Sequence, residues 1–402
     1  MNRSRLDTLI MEQEKRNSLS RADIEEIQLK KLNELLLREH ERQGFYRDLP
    51  ERVGSLEELK ALPFTTDEDL AKNAGAILLT SQSQIQRVLS DATSGTTGTA
   101  KRVFYTPGDC ENTIRLFSAG LGELIDPGSK TMICMPFSGP YGLGELIAEA
   151  IERLDATPLK LGAALSYGEL NAVLEREKPD TFVGMPVQLL SMLRFCGKGS
   201  LRRALVSGDA CPASVIRHSE ALLGSKLFPH YGSREMGLGG AVTCPAHEGM
   251  HLRENHVIAE IVDQEGRPLS LGEYGELVIT TIGMEAMPLI RYRTGDYTRI
   301  LPQPCPCGSR MIRLDTLRRK GDHADILLLD ERLFDLPFVI DYKAELSGNK
   351  LSIEALTRGG SHDALAAAVS GVFPEKRLAI KIRPASWDHR PLYLGKRKII
   401  SS

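Results

Sequence analysis

The chain has 402 residues, 42% of them hydrophobic and 26% charged, which is enough for one large domain plus a small one and excludes a disordered chain. Its 51 basic and 53 acidic residues give a formal net charge of −2, so no global field favours nucleic acid or an anionic membrane. The opening MNRSRLDTLIMEQEK lacks the apolar core of a signal peptide and no apolar run approaches a membrane span, so a cytoplasmic protein is expected.

In chain order, Ser20 followed by Asp23 marks a helix start, and Ile24, Ile27, Leu32, Leu35 and Leu36 recur at helical spacing until Gly44. The phrase LPFTTDEDL reads as a second capped start, with Thr65 or Thr66 leading into Asp67, Glu68 and Asp69. Next comes SDATSGTTGTAKRVFYTP, Ser90 to Pro107, a loop between two apolar, strand-like runs. It puts two glycines, five hydroxyls and a lysine between Thr93 and Lys101. Glycine brings backbone N–H groups close to an anion, hydroxyls add donors and lysine adds charge, a combination suited to a polyphosphate. A Walker-type loop is disfavoured, because Gly95, Gly98 and Lys101 are each three apart and Arg102 follows the lysine. The competing reading is a Gly/Ser/Thr-rich turn without a ligand. Beyond it, TMICMPF, a helix from about Gly144 to Leu154, DTFVGMP, a helix through Leu189 to Phe195, and RALVSG alternate as in an α/β domain with largely parallel strands.

The string TSGTTGTAK resembles the phosphate-binding signature of the adenylate-forming enzymes, the superfamily of acyl- and aryl-CoA synthetases, luciferases and adenylation domains. Within it the likeness is to the phenylacetate-CoA ligase family, in which a phrase like LPFTTDEDL precedes the phosphate loop. The resemblance implies that Thr93, Ser94, Gly95, Thr96, Thr97, Gly98 and Lys101 hold the phosphates of ATP. PFSGPYGLG resembles the family's loop beside the acid pocket, making Tyr141 and, more weakly, Phe137 candidate walls for an aryl or acyl group; a tyrosine packing at a helix start is the alternative. SGDACP resembles the GAEP-like turn that flanks adenine and contributes Gly208 and Asp209, although Asp209 and Cys211 replace the usual alanine and acid.

HYGSREMG resembles the YGxSE motif. On that likeness Tyr231 and Gly232 lie by the adenine, and Glu235 holds the Mg²⁺ bridging ATP and the reacting carboxylate. A solvated loop acid is the alternative for Glu235. In YGELVITTIGMEAMPLIRYRTGDYTRI the residues Val278 to Thr281 alternate as a strand, and RYRTGD closes in a glycine turn that exposes Asp296, which in the family accepts hydrogen bonds from both ribose hydroxyls. RPLYLGKRK resembles the GK motif. Lys396 would then bridge the acyl carboxylate and α-phosphate, whereas a solvated basic tail would explain Arg397 and Lys398.

Seven cysteines, an odd number without a secretory signal, point to free thiols or metal ligation instead of a disulfide framework. Cys244 with His251, and Cys305 with Cys307 in PCPCG, form a candidate structural Zn²⁺ site, with His247 competing for the imidazole position. The family's C-x6-H followed by C-x-C arrangement favours His251.

The expected architecture is an α/β fold with a large adenylation domain, residues 1–320, and a small mobile α+β domain, residues 321–402. The hinge departs from the family pattern: GRxDD is replaced by GDHAD from Gly321, so Asp322 stands in place of an arginine. The expected reaction is ATP-dependent activation of a small, aromatic carboxylic acid to acyl-AMP, then thioester formation with CoA, with a possible homodimer as the assembly. Transfer to a carrier protein or amine, and adenylylation of a hydroxyl as in deazaflavin-cofactor synthetases, are the alternatives. The altered hinge leads to an expectation of slow transfer to free CoA.

Overall fold

Ser20 and Asp23 cap the helix Arg21–Glu41 reciprocally, the Ser20 hydroxyl taking the Asp23 N–H and the Asp23 carboxylate taking the Ser20 N–H. The second predicted start resolves in the same way: Thr66, not Thr65, caps Asp67–Ile77. This computed structural model describes residues 4–91, 101–319 and 324–401. Thr93, Ser94, Gly95, Thr96, Thr97 and Gly98 of the expected phosphate loop, and hinge residues 321–323, lie outside the described residues.

The chain forms two compact units, one from Met1–Glu123 and His230–Asp315, the other from Leu124–Pro229 and Thr316–Ser402. In the first, the strands Ile258–Val262, Gly275–Thr280 and Tyr292–Thr298 pair antiparallel. The middle strand is buried at all six positions, so the alternation expected around Val278 is not seen; both faces are covered. Thr65 is spared from capping because its backbone bridges this sheet: its N–H donates to the Arg291 carbonyl (3.0 Å) and its carbonyl accepts from the Arg293 N–H (2.9 Å). Arg291 is buried, donating to both oxygens of buried Glu260 (3.1 and 2.9 Å) and lying 4.1 Å over the Phe64 ring. The LPFTTDEDL phrase is thereby fastened to the strand that carries Asp296.

The second unit contains the predicted α/β alternation. Thr157–Lys160, Lys130–Cys134, Thr181–Gly184 and Arg203–Val206 are neighbouring parallel strands, and Phe228–Pro229 continues the series. Helices Leu143–Glu152, Tyr167–Glu177, Pro186–Phe195 and Ala213–Leu223 alternate with them along the chain. A separate, smaller sheet follows, ordered Arg377–Pro384, Lys350–Thr357, Val339–Ser347, Ile400–Ser401. It shares a core with the preceding α/β part: Val187, Leu190 and Val215 pack with Ile326, Leu329, Phe334 and Val339. Polar contacts follow the same seam, the Ser191 hydroxyl donating to the Ile340 carbonyl (2.7 Å) and Arg194 to the Phe334 and Leu336 carbonyls (2.7 and 3.1 Å). No helix among the described residues is long and apolar enough to cross a membrane.

Because Leu190 is fully buried in that shared core, Leu190→Ala should destabilise the protein by about 2–5 kcal/mol. Urea unfolding checks this, and a loss below about 1 kcal/mol would contradict the shared core.

Candidate active site

The first unit brings together residues from four distant segments. Lys101 opens the strand Lys101–Tyr105, Glu235 lies in the 3-10 turn Arg234–Met236, Asp67 begins its helix and Tyr292 begins the strand bearing Asp296. Lys101 Nζ is 2.6 Å from Glu235 Oε1, 3.1 Å from Asp67 Oδ1 and 3.1 Å from the Tyr292 hydroxyl, which itself donates to Asp67. The Glu235 turn is braced on either side: Tyr105 donates to the Arg234 carbonyl (2.7 Å) and Thr113 to the Gly237 carbonyl (2.6 Å). Glu235 is only 7% exposed, which rules out a solvated loop acid. Burial pushes its carboxyl up, but the Lys101 ammonium together with the Ser233 hydroxyl and the backbone holds it below the usual glutamate range.

Asp296 and Tyr231 meet on the same unit, the Tyr231 hydroxyl donating to Asp296 Oδ2 at 2.9 Å. The glycine turn expected at RYRTGD is instead a bulge within the continuous strand Tyr292–Thr298. Pairing jumps from Glu276–Tyr297 to Val278–Arg293, leaving Thr294, Gly295 and Asp296 in the irregularity. Gly295 takes φ +72°, a conformation open to glycine at little cost, and the Thr294 hydroxyl donates to the Leu277 carbonyl (2.7 Å) while accepting from the Asp296 N–H (3.1 Å). Bulges re-aim side chains, and this one turns out Asp296. Gly232 allows another close approach, since a Cβ there would lie 2.1 Å from the Leu238 carbonyl oxygen.

The remaining candidates belong to the second unit. The Phe137 ring lies against Gly144 at the start of helix Leu143–Glu152. Tyr141 is more open, 36% exposed, and holds a left-handed backbone (φ +62°), a conformation costing a non-glycine residue of order 1–3 kcal/mol. Gly208 and Asp209 follow the strand Arg203–Val206, and the Asp209 carboxylate accepts the Ala210 and Arg397 N–H groups, both at 2.8 Å. Lys396 is exposed, yet its neighbour Arg397 is buried between Asp330 and Asp341, so the segment is not a solvated tail.

All seven cysteines are free thiols, and three of them converge with one histidine. Cys244, His251, Cys305 and Cys307 are buried with their ligand atoms within 4.8 Å of one another. The histidine in this cluster is His251, not His247. Pairing of Arg313 with His251 across two antiparallel strands carries the PCPCG loop toward Cys244. Cys244 Sγ and Cys305 Sγ are 3.6 Å apart, against about 3.8 Å for two tetrahedral sulfur ligands each about 2.3 Å from zinc. Burial, aided by Arg313, lowers His251 to about 4, so its imidazole is neutral and able to ligate. The donor set fits a closed, structural Zn²⁺ site.

Comparison with known proteins decides the family. The AMP-binding enzyme family matches residues 87–286, which include Lys101, Gly208, Asp209, Tyr231 and Glu235. The phenylacetate-coenzyme A ligase of Thermus thermophilus is 28% identical over 342 residues, 80% of this chain and 75% of that protein. The enzyme of the same name from Escherichia coli is 31% identical over 296 residues, 70% of this chain and 65% of that protein. The chain belongs to the adenylate-forming, AMP-binding family. Its fold matches the crystal structure of 2-hydroxyisobutyryl-CoA ligase in the postadenylation state, complexed with R3-HIB-AMP, with a TM-score of 0.79 at 18% identity over 96% of this chain and 90% of that one.

In this AMP-binding enzyme, sequence reasoning missed three residues. Asp67 and Tyr292 complete the surroundings of Lys101, and both stood inside phrases already singled out, but only the Thr65–Tyr292 bridge places them together. The role of Arg397 is not visible in the sequence, because charge alone does not reveal two buried carboxylates elsewhere in the chain. Glu235→Gln should reduce stability at pH 7 by about 1–3 kcal/mol, because it replaces the charged acceptor facing the Lys101 ammonium with a neutral one. Its folded pKa is depressed, so the stabilisation is present above the ordinary glutamate range and lost as pH falls through the folded value. Urea unfolding of both forms from pH 7 down to pH 3 should therefore show the difference shrinking, and a constant difference would count against the charged pair.

Proposed function

We propose that the protein activates a small, aromatic carboxylic acid with ATP, forming acyl-AMP and pyrophosphate, and then transfers the acyl group to CoA. The observation that carries this reading is the buried, charged Glu235 against Lys101, on the unit that also presents Asp296 from a bulge. In the first step a carboxylate oxygen of the acid attacks the α-phosphorus and the bond to the β-phosphate bridging oxygen breaks, releasing pyrophosphate. In the second the thiol sulfur attacks the acyl carbonyl, the thiol gives up its proton and AMP departs. The similarity to proteins named phenylacetate-coenzyme A ligase supports this reading.

Each residue has a role in this reading. Lys101, with the loop Thr93 to Gly98, neutralises the phosphates. Asp296 accepts from the ribose hydroxyls, while Tyr231, Gly232 and the main chain of Gly208 and Asp209 surround the adenine, the Asp209 carboxylate being taken by the Ala210 and Arg397 N–H groups. Tyr141 and Phe137 border the acid. Lys396 donates to the acyl carboxylate and α-phosphate as negative charge builds on them. Glu235 would hold Mg²⁺, which supplies charge neutralisation on the phosphates when bound. Residues 1–320 act as the large domain and 321–402 as the small one, in a cytoplasmic enzyme. The altered hinge, with Asp322 in place of arginine, favours a second reading in which a carrier-protein thiol is the better acceptor.

The test is single-turnover kinetics with the product followed by mass. Lys396→Ala should lower acyl-AMP formation about 10²- to 10³-fold, as expected for one lost charge-stabilising donor. Asp296→Ala should chiefly raise the ATP requirement, because ribose contacts exist in ground and transition states alike. An unchanged acyl-AMP rate in Lys396→Ala would refute the assignment. With CoA present, acyl-CoA should follow acyl-AMP, whereas lasting accumulation of acyl-AMP would favour the carrier-protein reading.

The proposed zinc would tie the segment after Glu235 to the segment after Asp296. Chelation should accordingly lower the melting temperature and the pyrophosphate-exchange rate together. Elemental analysis finding no zinc in the purified protein, or a Cys305→Ser variant of unchanged melting temperature, would overturn this.

A further inference from the structure

We propose that Asp209 and Arg397 are positioning residues that latch the backbone carrying Lys396. The inference rests on the adenylation role of Lys396 proposed above and goes beyond it, since it concerns how an exposed lysine on an irregular segment is held.

Besides these two residues, the Tyr393 hydroxyl steadies the stretch by donating to the Lys398 carbonyl (2.8 Å). Leu394 is 53% exposed, and a Cβ added at Gly395 would meet nothing within 4 Å. Arg397 is the reverse, 5% exposed, with each face of its guanidinium engaged. Nε donates to Asp330 Oδ1 (3.0 Å), Nη1 to Asp341 Oδ1 (3.0 Å) and Nη2 to the Tyr342 carbonyl (3.2 Å). The rings of Tyr342 and Tyr393 lie 4.6 Å from the guanidinium carbon and that of Phe334 5.1 Å. Asp330 and Asp341 are each 2% exposed, and both are held in turn: the Tyr342 hydroxyl donates to Asp330 (2.6 Å), and Asp341 Oδ2 accepts the Leu392 N–H (2.8 Å). A planar fork can satisfy two carboxylates and a carbonyl at once, which a lysine ammonium at that position does not reproduce.

The side chain of Arg397 thus fixes one end of the segment, and Asp209 fixes its orientation. Asp209 Oδ2 accepts the Arg397 N–H at 2.8 Å. That N–H belongs to the peptide group joining Lys396 to Arg397, and because the group is planar, orienting it also orients the Lys396 carbonyl and restricts the direction of its Cα–Cβ bond. Asp209 is itself steadied by the Ala210 N–H on its other oxygen (2.8 Å). This accounts for the acid in SGDACP, where the related turn has alanine: its side chain works on Lys396 through the backbone, while the neighbouring main chain remains available to the nucleotide.

The test is a double-mutant cycle on the full-length protein, read by pyrophosphate exchange with ATP and the best acid. Asp209→Ala should lower kcat about tenfold and leave the KM for ATP within about twofold, and Arg397→Lys should do the same; the size corresponds to losing one hydrogen bond to a charged group. In the Lys396→Ala background there is no ammonium to place, so Asp209→Ala should cost no further rate. A raised KM for ATP at unchanged kcat would make Asp209 an adenine contact and overturn the latch. A full tenfold additional loss on top of Lys396→Ala would overturn it as well, by showing that the two residues act independently. If Lys396→Ala alone leaves the exchange rate unchanged, the adenylation role itself fails, a result distinct from either of the others. Should Arg397→Lys not fold, Asp209→Ala and Asp209→Asn, which keeps one oxygen acceptor, carry the same cycle.

Discussion

A carboxylate withdrawn from water must be matched by a cation, and the pairing of Glu235 with Lys101 is the constraint on which the first unit's site depends. Desolvation penalises both charges by several kcal/mol, so the pair survives only because its geometry is close and further polar groups complete it. Asp67 and Tyr292 supply that completion on the lysine side, while Tyr105 and Thr113 hold the carbonyls on either side of Glu235. Such a cluster is a poor way to gain stability and a good way to keep charged groups preorganised for a polyanionic substrate. A phosphate offered to Lys101 and a divalent cation offered to Glu235 would each replace one partner with a more highly charged one.

The sheet around Asp296 shows how the backbone extends that preorganisation. A regular strand would send successive side chains to opposite faces of a fully covered sheet. The bulge at Thr294–Asp296 interrupts that pattern, and the Tyr231 hydroxyl then meets the displaced carboxylate. The Cys/His cluster lies in the same unit: His251 pairs with Arg313 across two strands, Cys244 precedes the His251 strand by a few residues, and Cys305 and Cys307 precede the Arg313 strand by a few residues.

In the second unit the corresponding element is Arg397. Its guanidinium is surrounded by two buried carboxylates and three aromatic rings, so the end of the chain is built into a polar core while Lys396 stays exposed. Shared apolar packing of Leu190 and Val215 with Ile326 and Phe334 joins the small sheet to helices of the parallel α/β part. Packing of this kind joins residues more than a hundred positions apart, so a shift of composition along the chain does not reveal it.

Local chemistry was legible in the chain. The caps at Ser20 and Thr66, the alternation of strands and helices from Lys130 to Val206, and the phrases bearing Lys101, Glu235, Asp296 and Lys396 all depend on residues within a few positions of one another. The four zinc-type ligands were legible as residue types, and the fold then selected His251 over His247. What only the tertiary structure decided was which charges meet: Lys101 with Asp67 and Tyr292, Arg397 with Asp330 and Asp341, Asp209 with the Arg397 backbone. It also decided that the glycine of RYRTGD makes a bulge and not a turn, since a bulge is defined by the partner strand's register. The physical reason is common to all of these. Periodicity, capping and turn chemistry act over short range along the chain and leave a pattern in it, whereas ion pairs and register are set by through-space distances that no stretch of sequence contains.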